Sequence, residues 1–199
     1  LDREKDLSDL RSTSVQRLAA RFDTDSVQSA RVSKVARHLF RIATAELPPA
    51  EADRLQRKLD WAAQLHEIGS QISHSDYHKH GAYILDNADA PGFALPELHR
   101  LSLLVLGHRG KLRKLEADFE DRVLIQQLMC LRMAVIFCHA RRDPDLKGLQ
   151  FECAADPGKL FVLNCRPGWS DAFPQSAHLL QEEVVAWQKT PWSLVVSGL

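Results

Sequence analysis

The sequence has no excess charge of either sign, since 26 basic residues balance 26 acidic ones. Attraction for a polyanion must then come from local patches, not from the field of the whole molecule. No apolar run approaches the ~18 residues that cross a bilayer, and no charged-then-apolar leader stands at the N-terminus. None of the four cysteines, Cys130, Cys138, Cys153 and Cys165, falls in a C-x-x-C pair, which argues against a zinc knuckle. Cys130 and Cys138 lie in an apolar helical pattern, where a free thiol behaves as a small hydrophobe. Reduced thiols fit a cytoplasmic protein. No Gly-x-Ser-x-Gly elbow surrounds Ser70, Ser73, Ser75 or Ser102. No glycine-rich phosphate loop is present. Neither a helix-turn-helix signal nor a strongly basic domain points to nucleic acid. The first residue is Leu1, not Met, so the chain is expected to be a piece of a longer protein.

What is present is ordinary globular composition, 45% hydrophobic and 26% charged over 199 residues. That length buries one good core, or one core and a small appendage. The chemistry concentrates in residues 61–111, which hold six of the nine histidines: His66, His74, His78, His80, His99 and His108. Gly69, Gly81, Pro91-Gly92 and Gly107 punctuate the same stretch. The apolar runs 59–68 and 98–106 read as buried helices on either side of it.

Taken in order, residues 1–10 are charged and read as loose chain, and 12–22 read as a short helix with Val15, Leu18, Ala19 and Phe22 on one face. Asp23 or Thr24 is positioned to cap a second helix. Its apolar stripe is Val27, Ala30, Val35, Leu39 and Ala43, with Arg31, Lys34, Arg37 and Arg41 on another side. Pro48-Pro49 ends it. The next helix aligns Leu55, Leu59, Ala62 and His66 and stops near Gly69. Further helices are predicted over 77–85, from Pro96 to about Gly107, and over 119–140. The last is nearly all apolar at 129–138, so it is either central to a bundle or covered by a partner. After Asp143-Pro144 the period changes. Strand-like runs at 149–154 and 159–165 flank a tight turn at Asp156-Pro157-Gly158, then come a helix over 175–189 and a last strand over 192–196. Trp169, Trp187 and Trp192 supply this tail with a satellite core. The fold class is mainly α, a helical domain at 1–145 followed by a small β-β-α-β domain at 146–199.

Two chemistries suit the histidine stretch. Imidazoles with Glu67, Asp76 or Asp86 are possible ligands of a transition metal, but a helical H-x-x-x-H pair is missing. Alternatively His74, His78, Lys79, His80, His108, Arg109, Lys111, Arg113 and Lys114 gather around helix ends and suit phosphate. A solvated basic face is the common alternative for such a set. Here His66 and His108 continue core stripes, which recesses one side of the patch.

The segments LHEIG, ISHSDYHKHGAYIL and LVLGHRGK, with RSTSVQRLAARFDTDSVQSARV before them and the β-β-α-β tail after, closely resemble the C-terminal region of the exopolyphosphatase and guanosine pentaphosphatase family. The resemblance spans nearly the whole chain. It implies a helical region similar to the HD superfamily of metal-dependent phosphohydrolases, then a small α/β region. Against the HD pattern, Gln28 stands where the first His would be, and His66 keeps the second. Glu67 replaces the Asp beside it, His80 and His108 match later histidines, and Val135 replaces the late Asp. Three departures from the donor set argue against a tight metal centre.

In this family the cleavage of terminal phosphate belongs to N-terminal actin-like domains, whose glycine loops and catalytic Glu are not in this chain. The resemblance further implies Mg²⁺ for the parent enzyme and homodimers whose C-terminal regions build a basic channel. The expectation is a cytoplasmic bacterial exopolyphosphatase fragment that binds inorganic polyphosphate and supports dimerisation. It carries no catalytic residue, metal or cofactor of its own. Its contact residues are His78, Lys79, His80, His108, Arg109 and Lys111, with His66 as a recessed partner. One alternative is a metal-dependent phosphohydrolase acting on a nucleotide such as guanosine pentaphosphate. Another is a structural dimerisation module that uses an exposed apolar side of residues 129–138.

Overall fold

The computed structural model describes residues 2–154 and 159–199. The tight turn expected at Asp156-Pro157-Gly158 lies outside the described residues. Helix α1 (Asp2–Arg21) includes the charged segment that the sequence reads as loose. Tertiary contacts hold it: the Arg11 guanidinium donates to the Gly92 carbonyl at 2.8 Å and to Glu97 at 2.9 Å. Ser14 donates to the Pro91 carbonyl at 2.7 Å, and Arg57 donates to Ser8 at 2.7 Å. Helix α2 (Ser26–Ala43) is capped by Asp25, whose carboxylate accepts from the amides of Val27 and Gln28. Neither expected cap serves. Asp23 sits at φ +48° in the turn, and the Thr24 hydroxyl donates back to the Ala19 carbonyl.

Helix α3 (Pro49–Leu65) leads through a 3₁₀ turn (Ile68–Gln71) to α4 (Tyr77–Asp86) and α5 (Leu95–Gly107). Two glycines set the contact between that turn and α4. A Cβ at Gly69 would lie 2.0 Å from the Tyr77 carbonyl oxygen and 2.6 Å from the Gly81 nitrogen. A Cβ at Gly81 would meet Val105 at 2.8 Å. Gly81, unfavourable within a helix by about 1 kcal/mol, therefore admits the Val105 side chain of α5.

A second 3₁₀ segment (Leu112–Asp118) precedes α6 (Arg122–Phe137), capped by Asp121. Every residue of α6 from 124 to 134 is buried, with α2, α5 and α8 (Pro174–Trp187) packed around it. The apolar side at 129–138 is therefore not open to a partner. The chain's own helices cover it, and only Val135 and Ile136 remain partly exposed.

In the tail, β1 (Gln150–Cys153) pairs antiparallel with β2 (Leu160–Asn164), and β2 pairs parallel with β3 (Ser193–Ser197). A short helix α7 (Trp169–Ala172) and α8 make the crossover that a parallel pair requires. Alternating residues Phe161 and Leu163 of β2 point inward with Phe151 and Leu194. Trp169, Trp187 and Trp192 are buried too, but they join the helical core in one contiguous cluster instead of forming a separate one. The Trp192 indole donates to the Phe119 carbonyl at 2.8 Å across that junction. Among the described residues, no helix is long and apolar enough to cross a membrane.

One buried ion pair ties helices to tail. Arg132 of α6 meets Glu183 of α8 through two hydrogen bonds, at 2.5 and 3.0 Å. The same guanidinium donates to the Gly107 and Gly110 carbonyls, and Glu183 also accepts from the Trp187 indole at 2.7 Å. Removing one partner of such a pair strands the other charge, at a cost of about 3–5 kcal/mol. Arg132→Ala should lower stability by about that amount in urea unfolding, while the paired change Arg132→Met with Glu183→Leu should lose less. Equal losses for the single and the double change would contradict this account.

Candidate functional site

The histidine stretch folds so that the ends of α3 and α5 lie side by side. His66 caps the end of α3 and His108 the end of α5, and each is 2% exposed. Their rings meet edge to face with centroids 5.1 Å apart. Each Nδ1 lies 2.5 Å from a carbonyl three residues back, Ala63 for His66 and Val105 for His108. A carbonyl only accepts, so Nδ1 carries the proton and Nε2 keeps its lone pair. The Tyr77 hydroxyl donates to His108 Nε2 at 3.4 Å, and the Arg109 guanidinium lies 4.6 Å above the Tyr77 ring. The result is a column, His66, His108, Tyr77, Arg109, running from the core outwards.

His78 joins from α4. Its ring centroid is 6.4 Å from that of His108, and its buried Nδ1 has no hydrogen-bond partner among the described residues. Burial, with Lys114 and Arg109 adding repulsion, brings its pKa down to about 4. Lys114 donates to the Arg109 carbonyl at 2.7 Å, and burial together with Arg132, Lys79 and Arg109 draws its pKa down to about 8. His66 and His108 are also depressed, chiefly by burial. The site therefore holds neutral imidazoles beneath a rim of cations at neutral pH.

The column opens into a groove of about 920 Å³ between the 109–116 segment, α6 and α8. Of the residues proposed from sequence, His108, Arg109 and Lys111 line it. His66 lies buried behind His108. Lys79 is exposed and pairs with Asp76 at 3.2 Å. His80 is half-exposed on α4, where the inward face is His78, Gly81, Ala82 and Leu85. The groove also takes in Arg113, which the sequence places in the basic set but not among the contact residues, and it adds residues that the sequence reading did not select: His139 and Lys189 on its walls, Arg132 and Glu183 at its base. Arg132 carried a signal, as the one charge amid the apolar run of α6. Among the described residues, Arg109, Lys111 and Lys189 make no ion pair, although Glu116 and Glu182 temper the wall.

The positions that would carry HD-type donors are otherwise engaged. The Gln28 amide donates to the Cys138 carbonyl at 2.9 Å, and its oxygen accepts from Arg31 at 2.6 Å. Arg141 binds both oxygens of Glu67, at 3.2 and 3.3 Å, and also Asp25 at 2.9 Å. Val135 offers no donor. Among the described residues, no three His, Cys, Asp or Glu side chains assemble as a ligand set. A hard divalent ion needs several oxygen donors together, so these residues do not fit one.

The helical scaffold thus joins a recessed histidine column to a cationic groove, beside positions where HD-type donors are replaced or engaged elsewhere. The family model for Ppx/GppA phosphatase, domain III, matches residues 10–184, and the chain belongs to this family. It is 33% identical over 193 residues to a guanosine-5'-triphosphate,3'-diphosphate pyrophosphatase of Pseudoalteromonas translucida (strain TAC 125). That match covers 96% of this chain and 38% of the relative, so the chain spans well under half of the relative's length.

The buried rings make stability depend on pH. The unfolded chain protonates these histidines near 6.5, whereas the folded pKa values lie lower. Between the two the unfolded state binds more protons, so stability is complete above about pH 6.5 and is lost as pH falls. Each fully buried ring contributes at most about 1.4 kcal/mol per pH unit. The melting temperature should drop between pH 7.5 and 5, and His108→Gln should flatten the drop. A profile that is level across this range, or identical in the variant, would refute the assignment.

Proposed function

We propose that this domain holds the phosphate chain of an anhydride substrate for a parent exopolyphosphatase, which releases orthophosphate stepwise from polyphosphate ends. The observation that carries the reading is the groove, with Arg109, Lys111 and Lys189 unpaired among the described residues on its walls. Flexible Lys and Arg side chains suit a repeating polyanion, because every phosphate presents the same oxygens and no single register is demanded. His108 and Tyr77 close the recessed end. His66 stiffens His108 from behind, and Lys114 adds positive charge beside the neutral His78. Lys79, with His80 beside it on the outer side of α4, extends the polar surface away from the groove.

In this reading the chain itself performs no bond cleavage. Hydrolysis, with its Mg²⁺, belongs to domains that precede this one in a cytoplasmic homodimer. A second substrate reading comes from the pyrophosphatase relative, whose printed name specifies a guanosine nucleotide with a 5'-triphosphate and a 3'-diphosphate. Its short phosphate chains would engage fewer of the same cations, so the two substrates should compete for one groove.

Calorimetric titration with long-chain polyphosphate, in buffer without divalent metal, tests the reading. Binding should be saturable, and Arg109→Ala or Lys111→Ala should weaken it several-fold. With about three phosphate contacts, a fourfold rise in salt should reduce affinity roughly 20- to 40-fold, by analogy with counterion release from nucleic acids. Affinity indifferent to salt and to both substitutions would reject the groove as the site. Tighter binding of guanosine pentaphosphate than of polyphosphate would favour the second substrate.

A further inference from the structure

A separate cavity of about 360 Å³ opens between α3, α5 and the start of α6, and neither the histidine column nor the groove uses it. Its walls include Trp61, Phe93, Leu101, Leu104 and Leu124. Trp61 and Phe93 pack edge to face at 5.1 Å, and the Trp61 indole N–H donates to Ser12, which is not part of the lining. The apolar body of the cavity therefore has no polar demand from its largest side chain. The volume falls within the range of small-ligand sites, which combine apolar walls with a few polar groups.

The charged groups at its edge are mostly committed. Arg100 binds Asp121 through two hydrogen bonds, at 2.6 and 3.3 Å, and Asp121 also caps α6. Glu97 is held by Arg11 and by the Ala94 amide, and His99 by Asp86. Among the described residues, Lys58 is the lining cation left without a hydrogen bond or ion pair. It is half-buried, and desolvation draws its pKa below the ordinary value while Glu97 acts in the opposite sense. A partly desolvated ammonium beside an apolar chamber is complementary to one negative charge attached to a hydrocarbon. The lining carries three carboxylates, Glu97, Asp118 and Asp121, against the two cations Lys58 and Arg100. With those pairs formed, Lys58 is the one uncommitted lining cation among the described residues, so the cavity lacks the cation cluster that a polyanion needs and is not a second phosphate site.

We propose that the cavity binds a small apolar monocarboxylate, its alkyl or aryl body against Trp61, Phe93 and Leu104 and its carboxylate on the Lys58 ammonium. Octanoate is a suitable probe, titrated calorimetrically into this chain at low ionic strength. Saturable binding is expected, with the indole N–H resonance of Trp61 shifting and those of Trp169, Trp187 and Trp192 unmoved. Lys58→Met keeps the aliphatic stem and removes the charge. It should weaken binding about tenfold, as loss of a charge-assisted hydrogen bond does, with Lys58→Arg restoring it. Octanol should bind correspondingly less well than octanoate. The proposal is overturned by absence of saturation at ~1 mM octanoate, about the affinity expected of a weak specific site. It is overturned equally by Lys58→Met binding as the parent chain does, or by octanol matching octanoate. Asp118, the one lining carboxylate unpaired among the described residues, supplies a further discriminator. Phenylalanine binding more tightly than phenylpropionate would reassign the cavity to a zwitterionic amino acid and remove the monocarboxylate reading.

Discussion

The Arg132–Glu183 pair is the constraint on which the arrangement depends. It is buried between α6 and α8, and its remaining donors hold the Gly107 and Gly110 carbonyls. Those two carbonyls bracket His108 and Arg109. One guanidinium therefore fixes the angle between helices and tail, the end of α5, and the loop that carries the groove's cations. Its charge is matched inside the protein by Glu183, itself steadied by Trp187. A buried ion pair adds little net stability compared with a well-packed apolar substitute. Its value here is positional, since an apolar pair would leave two loop carbonyls without donors.

A second theme is replacement of metal ligation by ion pairing. Where an HD-type enzyme would offer oxygen and nitrogen to a divalent ion, this chain offers Glu67 to Arg141 and spends the Gln28 amide on Cys138 and Arg31. Arg141 adopts φ +56° to reach Glu67 and Asp25 together. The carboxylate is thus neutralised by a side chain that is always charged. The imidazoles of His66 and His108 keep the tautomer a ligand would have, but they serve as a dry, neutral support behind a cationic rim.

Much of this was legible in the sequence, and the misses have physical reasons. The helices, the β-β-α-β tail and the burial of His66 and His108 follow from apolar spacing, because a stripe that includes a histidine places that histidine inside. The first turns of α1 were not legible, since their anchor, the Ser8 contact with Arg57, spans 49 residues, and the helix they extend is held at Arg11 and Ser14 by the still more distant Gly92, Glu97 and Pro91. The inward histidine of α4 turns on phase. The spacing His78, Gly81, Ala82, Leu85 is a complete i, i+3, i+4, i+7 face, whereas attention to His80 and Ile84 selects the neighbouring one. Arg132 was visible as an isolated charge, but its partner is 51 residues distant and nothing local marks Glu183.

The contact between Gly69 and Gly81 has a consequence for how tolerance to substitution should be interpreted. With backbone 2.0 Å from where a Cβ would sit, even alanine at Gly69 forces the turn away from α4. Both glycines lie within the same stretch as the histidines, so a map of permitted substitutions would give them the same intolerance as the site itself. There the intolerance would measure space, not chemistry. Sensitivity along 61–111 would thus mix two signals, and on the proposed function only the side chains that reach the groove would report on binding.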